Sequence, residues 1–445
     1  MSLAGRTIAS LAADLAAGRT TSRVLTEAAL ASIAGDGSAF TLVTAERARL
    51  AADASDRMRA AGIVPSALAG IPISIKDLFD VAGEVTAAGS VLLKSAAPAQ
   101  HDAPPVARLR AAGAVIVGRT HMSEFAFSGI GANPHYPRCG NPHDAARVPG
   151  GSSSGAAVSV ARGQAAMGLG TDTGGSTRIP PAFCGVTGFK PTQRRVTRAG
   201  AFPLSESLDS IGPIANSVAC CATVDGLVAD RPPQEHPPVG VAGLRLAVPT
   251  DYVLDGMDER VSRAFDRALS RLSSAGARVE RVRVAGFTRI PEINARGTLA
   301  NAEAYAFHVR GGFFKSKDRY DPNVAARIEV GGRMSAADYL ELLHARAAMI
   351  AEVAVLSAPY DALVFPTTPI VAPRFDEVAD QAGFGRANAL ALRNPSVVNF
   401  LDRCALSIPM QQAAELPCGL MLVGEHMGDA KLFALGMAIE AALAA

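Results

Sequence analysis

Two periodicities alternate along the chain. Apolar positions recur at helical spacing from residue 7 to 34 and again from 44 to 61, the second stretch rich in Ala and Arg. Two helices are therefore predicted to open the chain, as a helical N-terminal segment over 1–62. Short apolar runs then take over. LAGIPISIKDLFD predicts a buried strand, Ile71 to Ile75, with helix or turn after Asp77, and ARLRAAGAVIVGRT predicts a helix, a turn at Gly113 and a strand from Ala114 to Val117. Residues 131–155 form a long loop dense in Gly, Pro, Asn and Ser, and GAAVSVARGQ after it can start a helix of small residues. A loop that long inside a compact domain is usually functional. Residues 164–192 alternate apolar pieces with glycines, which predicts strand, tight loop and turn. Beyond them come a strand in LRLAVP, a helix over 258–275, a mostly helical stretch over 296–356, and strands in DALVFPTTP (361–369), CALSIP and CGLMLVG. Strands and helices alternating from end to end predict one α/β domain over 1–445, with a buried mixed sheet flanked by helices. RPPQEHPPVG, 231–240, is a linker or a surface excursion, and no internal repeat is visible.

Composition acts mainly by exclusion. With 445 residues, 49% hydrophobic and 19% charged, the chain can bury a large core, which excludes disorder and coiled coil. Lys+Arg 43 against Asp+Glu 41 leaves a net charge of +2 with scattered cations, so there is no electrostatic footprint for nucleic acid or an anionic membrane. No apolar run reaches the roughly 18 residues of a membrane span. Asp14 interrupts the run a signal peptide would need. Cys139, Cys184, Cys220, Cys221, Cys404 and Cys418 include no C-x-x-C pair, which suits reduced core thiols and a cytoplasmic location. The eight histidines form no H-x-x-x-H cluster, so no metal is expected, and the serine and lysine chemistry set out below needs no cofactor.

Three segments carry candidate chemistry. Only six of the 43 basic residues are lysines, and Lys76 ends the apolar strand IPISIK. A buried lysine is penalised as a cation, so its neutral amine can act as a base; the segment alone fits equally a lysine that snorkels or pairs with Asp77 or Asp80. GGSSSG, 150–155, places three serines between glycines, of which helix capping accounts for one or two. In TDTGGSTR, 171–178, Gly174 and Gly175 permit successive backbone N–H groups to point into one concavity beside Ser176, as an oxyanion cradle requires. A serine nucleophile, a cradle and a lysine base suffice for acyl transfer. GSSSG also satisfies G-x-S-x-G, the nucleophile elbow of α/β-hydrolases, with Ser153 as nucleophile and His426 as base. That elbow needs a preceding strand, whereas 137–149 contains three prolines.

GIPISIKD around Lys76, PGGSSSGAAVSVA from Pro149 and GLGTDTGGSTRIPPAFCGVTGFKPT from Gly168 together resemble the central block of the amidase signature family, in spacing as well as in letters. The likeness extends to SLDSIGP (207–213), YDPNVAARI (320–328), YDALVFPTTP (360–369) and LPCGLMLVG (416–424). It implies a single α/β domain with a Ser-cisSer-Lys triad: Ser176 as nucleophile, Ser152 as the serine with the cis peptide, Lys76 as base. It further implies that the N–H groups of Thr173, Gly174, Gly175 and Ser176 hold the oxyanion. Arg178 either supports the loop by pairing with Asp172 or binds a substrate carboxylate, and Ser153 and Ser154 cap the next helix or steady Ser152. The departures KPTQRRV and NFLDRC bear on pocket shape.

In the resemblance, EFAFSGIGANPHY and GAFPLSESL lie near the acyl pocket, offering Phe125, Phe127, Ile130, Tyr136 and Phe202 but few cations. Burying an apolar ring contributes about 25 cal/mol per Å², while a charged acyl chain would be desolvated with only Arg178 as partner. Neutral aryl or medium-chain amides, and aryl carbamates (urethanes), are the expected substrates. The partner is thus a small amide or carbamate, with a homodimer left open. The competing expectation is an amidase-like component of a glutamine-dependent tRNA amidotransferase.

Overall fold

The apolar runs become the strands of one sheet in a computed structural model whose described residues are 2–230 and 237–444. In chain order these are β1 (Phe40–Val43), β2 (Pro72–Lys76), β3 (Val115–Thr120), β4 (Met167–Asp172), β5 (Thr187–Lys190), β6 (Ser210–Ala215), β7 (Arg245–Pro249), β8 (Arg278–Val282), β9 (Ala362–Pro366), β10 (Ala405–Pro409) and β11 (Gly419–Val423). They hydrogen bond in the order β1-β3-β2-β4-β6-β5-β10-β11-β9-β7-β8. β2 runs parallel to both β3 and β4, and β7 parallel to β8 and β9; the remaining pairs are antiparallel. Every residue of β2, β3, β4, β5 and β6 is buried, because helices cover both faces. That is why these strands read as continuous apolar runs rather than strict alternation. The edge strands β1 and β8 are partly exposed. The architecture is a single α/β domain, a large mixed sheet flanked by helices.

The helix Glu259–Ser274 shows how the flanking layer forms. Val261, Ala264, Phe265, Ala268, Leu269 and Leu272 recur on one face and are all buried, while the Asp258 side chain accepts from the Arg260 N–H to cap its start. Burying a side chain such as Phe265 stabilises the layer by about 1.5–3 kcal/mol.

Several boundaries differ from the sequence expectation. The stretch 7–34 is two helices, Ile8–Ala16 and Ser22–Gly35, separated at Gly18, whose φ of 68° lies in the left-handed region. The N-terminal segment is not wholly helical either, since Phe40–Val43 pairs antiparallel with β3 as the sheet's edge. Residues 381–400 form a twenty-residue helix despite Pro395 inside it; two glycines and a proline give that segment low helical propensity, and its packing against the site overrides it. Of the linker expected at 231–240, residues 231–236 lie outside the described residues. All six cysteines are free and buried. Among the described residues no helix is long and apolar enough to cross a membrane, and no group of His, Cys, Asp and Glu is placed to hold a metal ion.

Candidate active site

Because β2 and β4 are parallel neighbours, their C-terminal ends, Lys76 and Asp172, emerge at the same edge of the sheet, where open α/β sheets place their ligands. Lys76 is fully buried. Its Nζ lies 2.8 Å from Ser152 Oγ and 2.8 Å from Thr171 Oγ1. Burial pulls its pKa down to about 7, against the opposing fields of Asp172 and Asp209, so the amine is largely neutral in mildly alkaline solution. The Gly151–Ser152 peptide is cis. A side chain at Gly151 would come within 2.6 Å of Ser123 Oγ and the Ser128 carbonyl, which explains why glycine precedes this serine.

The loop after β4 is organised by one carboxylate. Asp172 Oδ1 accepts from the Gly175 N–H (2.8 Å), from Asn399 Nδ2 (2.8 Å) and from Arg178 Nη2 (2.9 Å). Its Oδ2 accepts from the Thr177 N–H, the Thr177 hydroxyl and Arg178 Nε, each at 3.0 Å. Burial alone would raise the Asp172 pKa, but Arg178 and these donors outweigh it and hold the carboxyl well below the usual range. Ser176 sits at the centre of the loop so fixed. Its hydroxyl makes no hydrogen bond to the described residues, Ser152 included, and lines a cavity of about 300 Å³ together with Thr173 and Gly174. The N–H groups of Thr173, Gly174 and Ser176 have no acceptor among the described residues, whereas that of Gly175 is committed to Asp172. The cavity walls are mostly apolar, built by Phe127, Leu204, Leu208, Ile290, Leu299, Leu392 and Phe400, and two cations, Arg327 and Arg393, reach them.

Comparison with known proteins gives this arrangement a family. The family model described as Amidase matches residues 25–433. The chain belongs to the amidase family. Accordingly it is a hydrolase of amide C–N bonds. It is 37% identical over 404 residues to 2-amino-5-chloromuconic acid deaminase of Comamonas testosteroni, covering 89% of this chain and 86% of that protein. It is 35% identical over 466 residues to a glutamyl-tRNA(Gln) amidotransferase subunit from Anaeromyxobacter sp. (strain K), covering 96% and 94%. A solved crystal structure of an amidase superposes with a TM-score of 0.88 at 34% identity, covering 98% of this chain and 99% of that one.

On this amidase the expected pocket residues are placed differently. Of the five side chains expected near the acyl pocket, Phe127 alone lines the cavity beside Ser176. Phe125 is buried in an aromatic cluster, with ring centroids 5.3 Å from Phe202, 4.6 Å from His308 and 4.9 Å from Tyr320. Ile130 is fully buried against Val148, Ile179 and Phe183. Tyr136 lines a separate cavity with Arg138 and Phe375. Phe202 faces a second, more polar cavity that also touches Thr171 and Asp209. For the two phenylalanines of EFAF the cause is local. The segment 124–126 is a short 3-10 turn with Phe125 in a left-handed conformation (φ 49°), which turns that ring into the core and leaves Phe127 at the cavity.

Arg178 is completely buried and gives its remaining donors to the Pro395 carbonyl (3.1 Å) and Asn399 Oδ1 (2.6 Å). Its donors are thus committed to the protein, and it does not line the cavity beside Ser176. The elbow alternative also fails on geometry. Ser153 is fully buried with its hydroxyl donating to the Thr171 carbonyl at 3.3 Å, no strand leads directly into it, the last element before it being the turn 124–126, and His426 is an exposed residue beside a different cavity. Neither Ser153 nor Ser154 caps the helix Ser154–Ala161 through its side chain. Thr171, Asp209, Asn399 and Arg327 escape the sequence reading. Asp209 stands in SLDSIGP and Arg327 in YDPNVAARI, both visible as motif letters, but their roles depend on contacts across the fold: Asp209 Oδ1 accepts from Thr173 Oγ1 at 2.5 Å.

Proposed function

We propose that this amidase hydrolyses small amides through an acyl-enzyme on Ser176, with Ser152 and Lys76 relaying the proton. The observation that carries this is a fully buried lysine, its pKa near 7, within hydrogen-bonding distance of the Ser152 hydroxyl. Ser176 Oγ attacks the amide carbon while its proton passes to Ser152 and the Ser152 proton to neutral Nζ. The N–H groups of Thr173, Gly174 and Ser176 stabilise the tetrahedral oxyanion; that of Gly175, expected among them, instead holds the loop to Asp172. Collapse breaks the C–N bond, and the amine leaves with the proton returned from Lys76 through Ser152. Water, activated by the same relay, then releases the acyl group as a carboxylic acid and restores Ser176.

The apolar walls support an aryl or medium-chain acyl part, and an aryl carbamate presents the same carbonyl. The expectation of a neutral substrate rests on Arg178 as the only cation near the site. Arg178 is turned away, Arg327 and Arg393 line the cavity, and the Comamonas testosteroni relative is named for an acid. The decisive experiment is to label the protein with a small sulfonyl fluoride and locate the adduct by mass spectrometry, alongside hydrolysis of a nitroanilide by Ser176→Ala, Ser152→Ala and Lys76→Ala. An adduct on Ser176 and near-complete loss in all three variants are expected. An adduct elsewhere would overturn the assignment.

A second reading, in which the chain works as one component of an amidotransferase, is favoured by the 35% identity over 96% of the chain to the Anaeromyxobacter protein. It predicts that the chain is inactive alone; turnover by the purified chain rejects it.

A further inference from the structure

The cavity beside Ser176 contains a guanidinium that nothing in the described residues neutralises. Arg327 projects from the helix Pro322–Gly331. Its side chain forms no ion pair and no hydrogen bond with the described residues, and its Nε is buried with no partner. Burial alone draws its pKa down to about 10, with no carboxylate acting on it. It therefore stays charged at neutral pH. The guanidinium carbon lies 4.5 Å from the centroid of the Phe127 ring, which orients the fork without satisfying its donors. The other cation on the cavity differs: Arg393 Nε donates to Asn394 Oδ1 at 3.1 Å and Nη2 to the Val253 carbonyl at 3.3 Å. A half-buried arginine that lines an apolar cavity without a protein partner is placed to receive an anion.

The relay fixes which part of the substrate meets Arg327. The leaving amine must receive its proton from the Lys76–Ser152 side. Thr171, the hydroxyl beside Lys76 Nζ, lines the second cavity, whereas the first cavity, which shares Thr173 with it, holds Gly174, Ser176 and Arg327. The acyl part thus occupies the Arg327 cavity. Resting on the acyl-enzyme reading above, we propose that the substrate is a half-amide of a dicarboxylic acid: its acyl chain spans the apolar walls and its free carboxylate forms a charge-assisted pair with Arg327. Arg327 is then the specificity-determining residue, and a small leaving amine such as ammonia fits the polar side.

The test uses matched amides that differ only at the far end: 4-carbamoylbenzoate against 4-methylbenzamide, and glutaramate and adipamate against pentanamide and hexanamide. For the wild-type chain kcat/KM is expected to favour the acids. Arg327→Met should lower kcat/KM on the acids on the order of 10- to 100-fold, mainly through KM, since a charge-assisted hydrogen bond is lost. On the neutral amides it should change little, and Arg327→Lys should recover part of the loss. A wild-type preference for the neutral amides, or an equal loss on both sets in Arg327→Met, overturns the proposal while leaving the acyl-enzyme reading intact. Hydrolysis of either set that survives Ser176→Ala overturns the acyl-enzyme reading instead. If none of these amides turns over, glutarate and terephthalate are titrated as ligands: a melting-temperature rise in wild type that vanishes in Arg327→Met supports the proposal, and its absence in wild type at millimolar concentration rejects it.

Discussion

Replacing Arg178 by Met tests whether this arginine braces the loop or binds substrate. In the structure it is fully buried, and its fork meets Asp172 at 2.9 and 3.0 Å. Methionine roughly fills the volume but leaves the Asp172 carboxylate without its main cation. Removing one partner of a buried pair typically costs about 3–5 kcal/mol. Unfolding entropy near 2.1 cal/mol/K per residue gives roughly 0.9 kcal/mol/K for a chain of 445 residues. The expected fall in melting temperature is therefore about 3–5 °C at matched scan rate and pH 7. Asp172 has a depressed folded pKa, so its contribution is present above the unfolded carboxylate range and lost as pH falls through the folded value. In Arg178→Met that folded pKa rises, and acid destabilisation begins at a higher pH than in wild type. Since Asp172 also ties down Gly175 and Thr177, kcat should fall more than KM rises. Scanning calorimetry or thermal circular dichroism at two pH values, with steady-state kinetics beside it, reads all three. A melting point within about 1 °C of wild type, together with a selective rise in KM for acidic amides, would refute the bracing role.

Other expectations follow from single contacts. With Lys76 lowered to about 7 and the neutral amine as the active form, kcat/KM should rise about tenfold per pH unit below that value and level off above it; a profile flat from about pH 5 to 8 would count against the base. Gly175 has φ 130° and an added Cβ would stand 2.6 Å from Pro395 Cβ, so Gly175→Ala should cost about 1–3 kcal/mol of stability and depress kcat, checked by urea melts and turnover. Ser153→Ala and His426→Ala should each retain activity within several-fold while Ser152→Ala loses nearly all of it, and the reverse pattern in the same assay would reinstate the elbow mechanism.

The architecture is largely legible because sheet strands buried on both faces leave continuous apolar runs: β2, β3, β4, β9, β10 and β11 all fall where such runs predict strands. β1 is not, since the four residues FTLV with exposed Leu42 and Val43 are too short and too exposed to stand out. The helix Gln381–Phe400 is hidden by Gly383, Gly385 and Pro395, whose low propensity is overridden by contacts that no local pattern records. At the site, local motifs announce Lys76, Ser152 and Ser176, yet the orientation of rings around Ser176 does not follow from them. A left-handed residue at 125 accompanies the turn of one of the two expected phenylalanines, Phe125, into an aromatic cluster, and nothing in EFAF signals it.

Charge explains the remaining blind spot. The sequence records that an arginine is present but not whether it is neutralised, and here opposite fates befall two arginines in adjacent parts of one site. Arg178 stands six residues after Asp172, and its other donors go to Pro395 and Asn399, more than two hundred residues away in sequence. That distant helix closes the arginine off, and the same helix supplies Leu392, Ser396 and Phe400 to the cavity wall. Arg327 stands in a helix whose carboxylate, Glu329, pairs with Lys317 instead. Both arginines stand in motif segments, TDTGGSTR and YDPNVAARI, but only the fold shows that the first is paired and the second is left without a partner among the described residues. If Arg178 braces the loop around Ser176 and Arg327 meets the acyl part, as proposed, their substitutions should separate cleanly: Arg178→Met in melting temperature, Arg327→Met in KM for acidic amides. If both variants moved the same observable, the division of labour between them would be wrong.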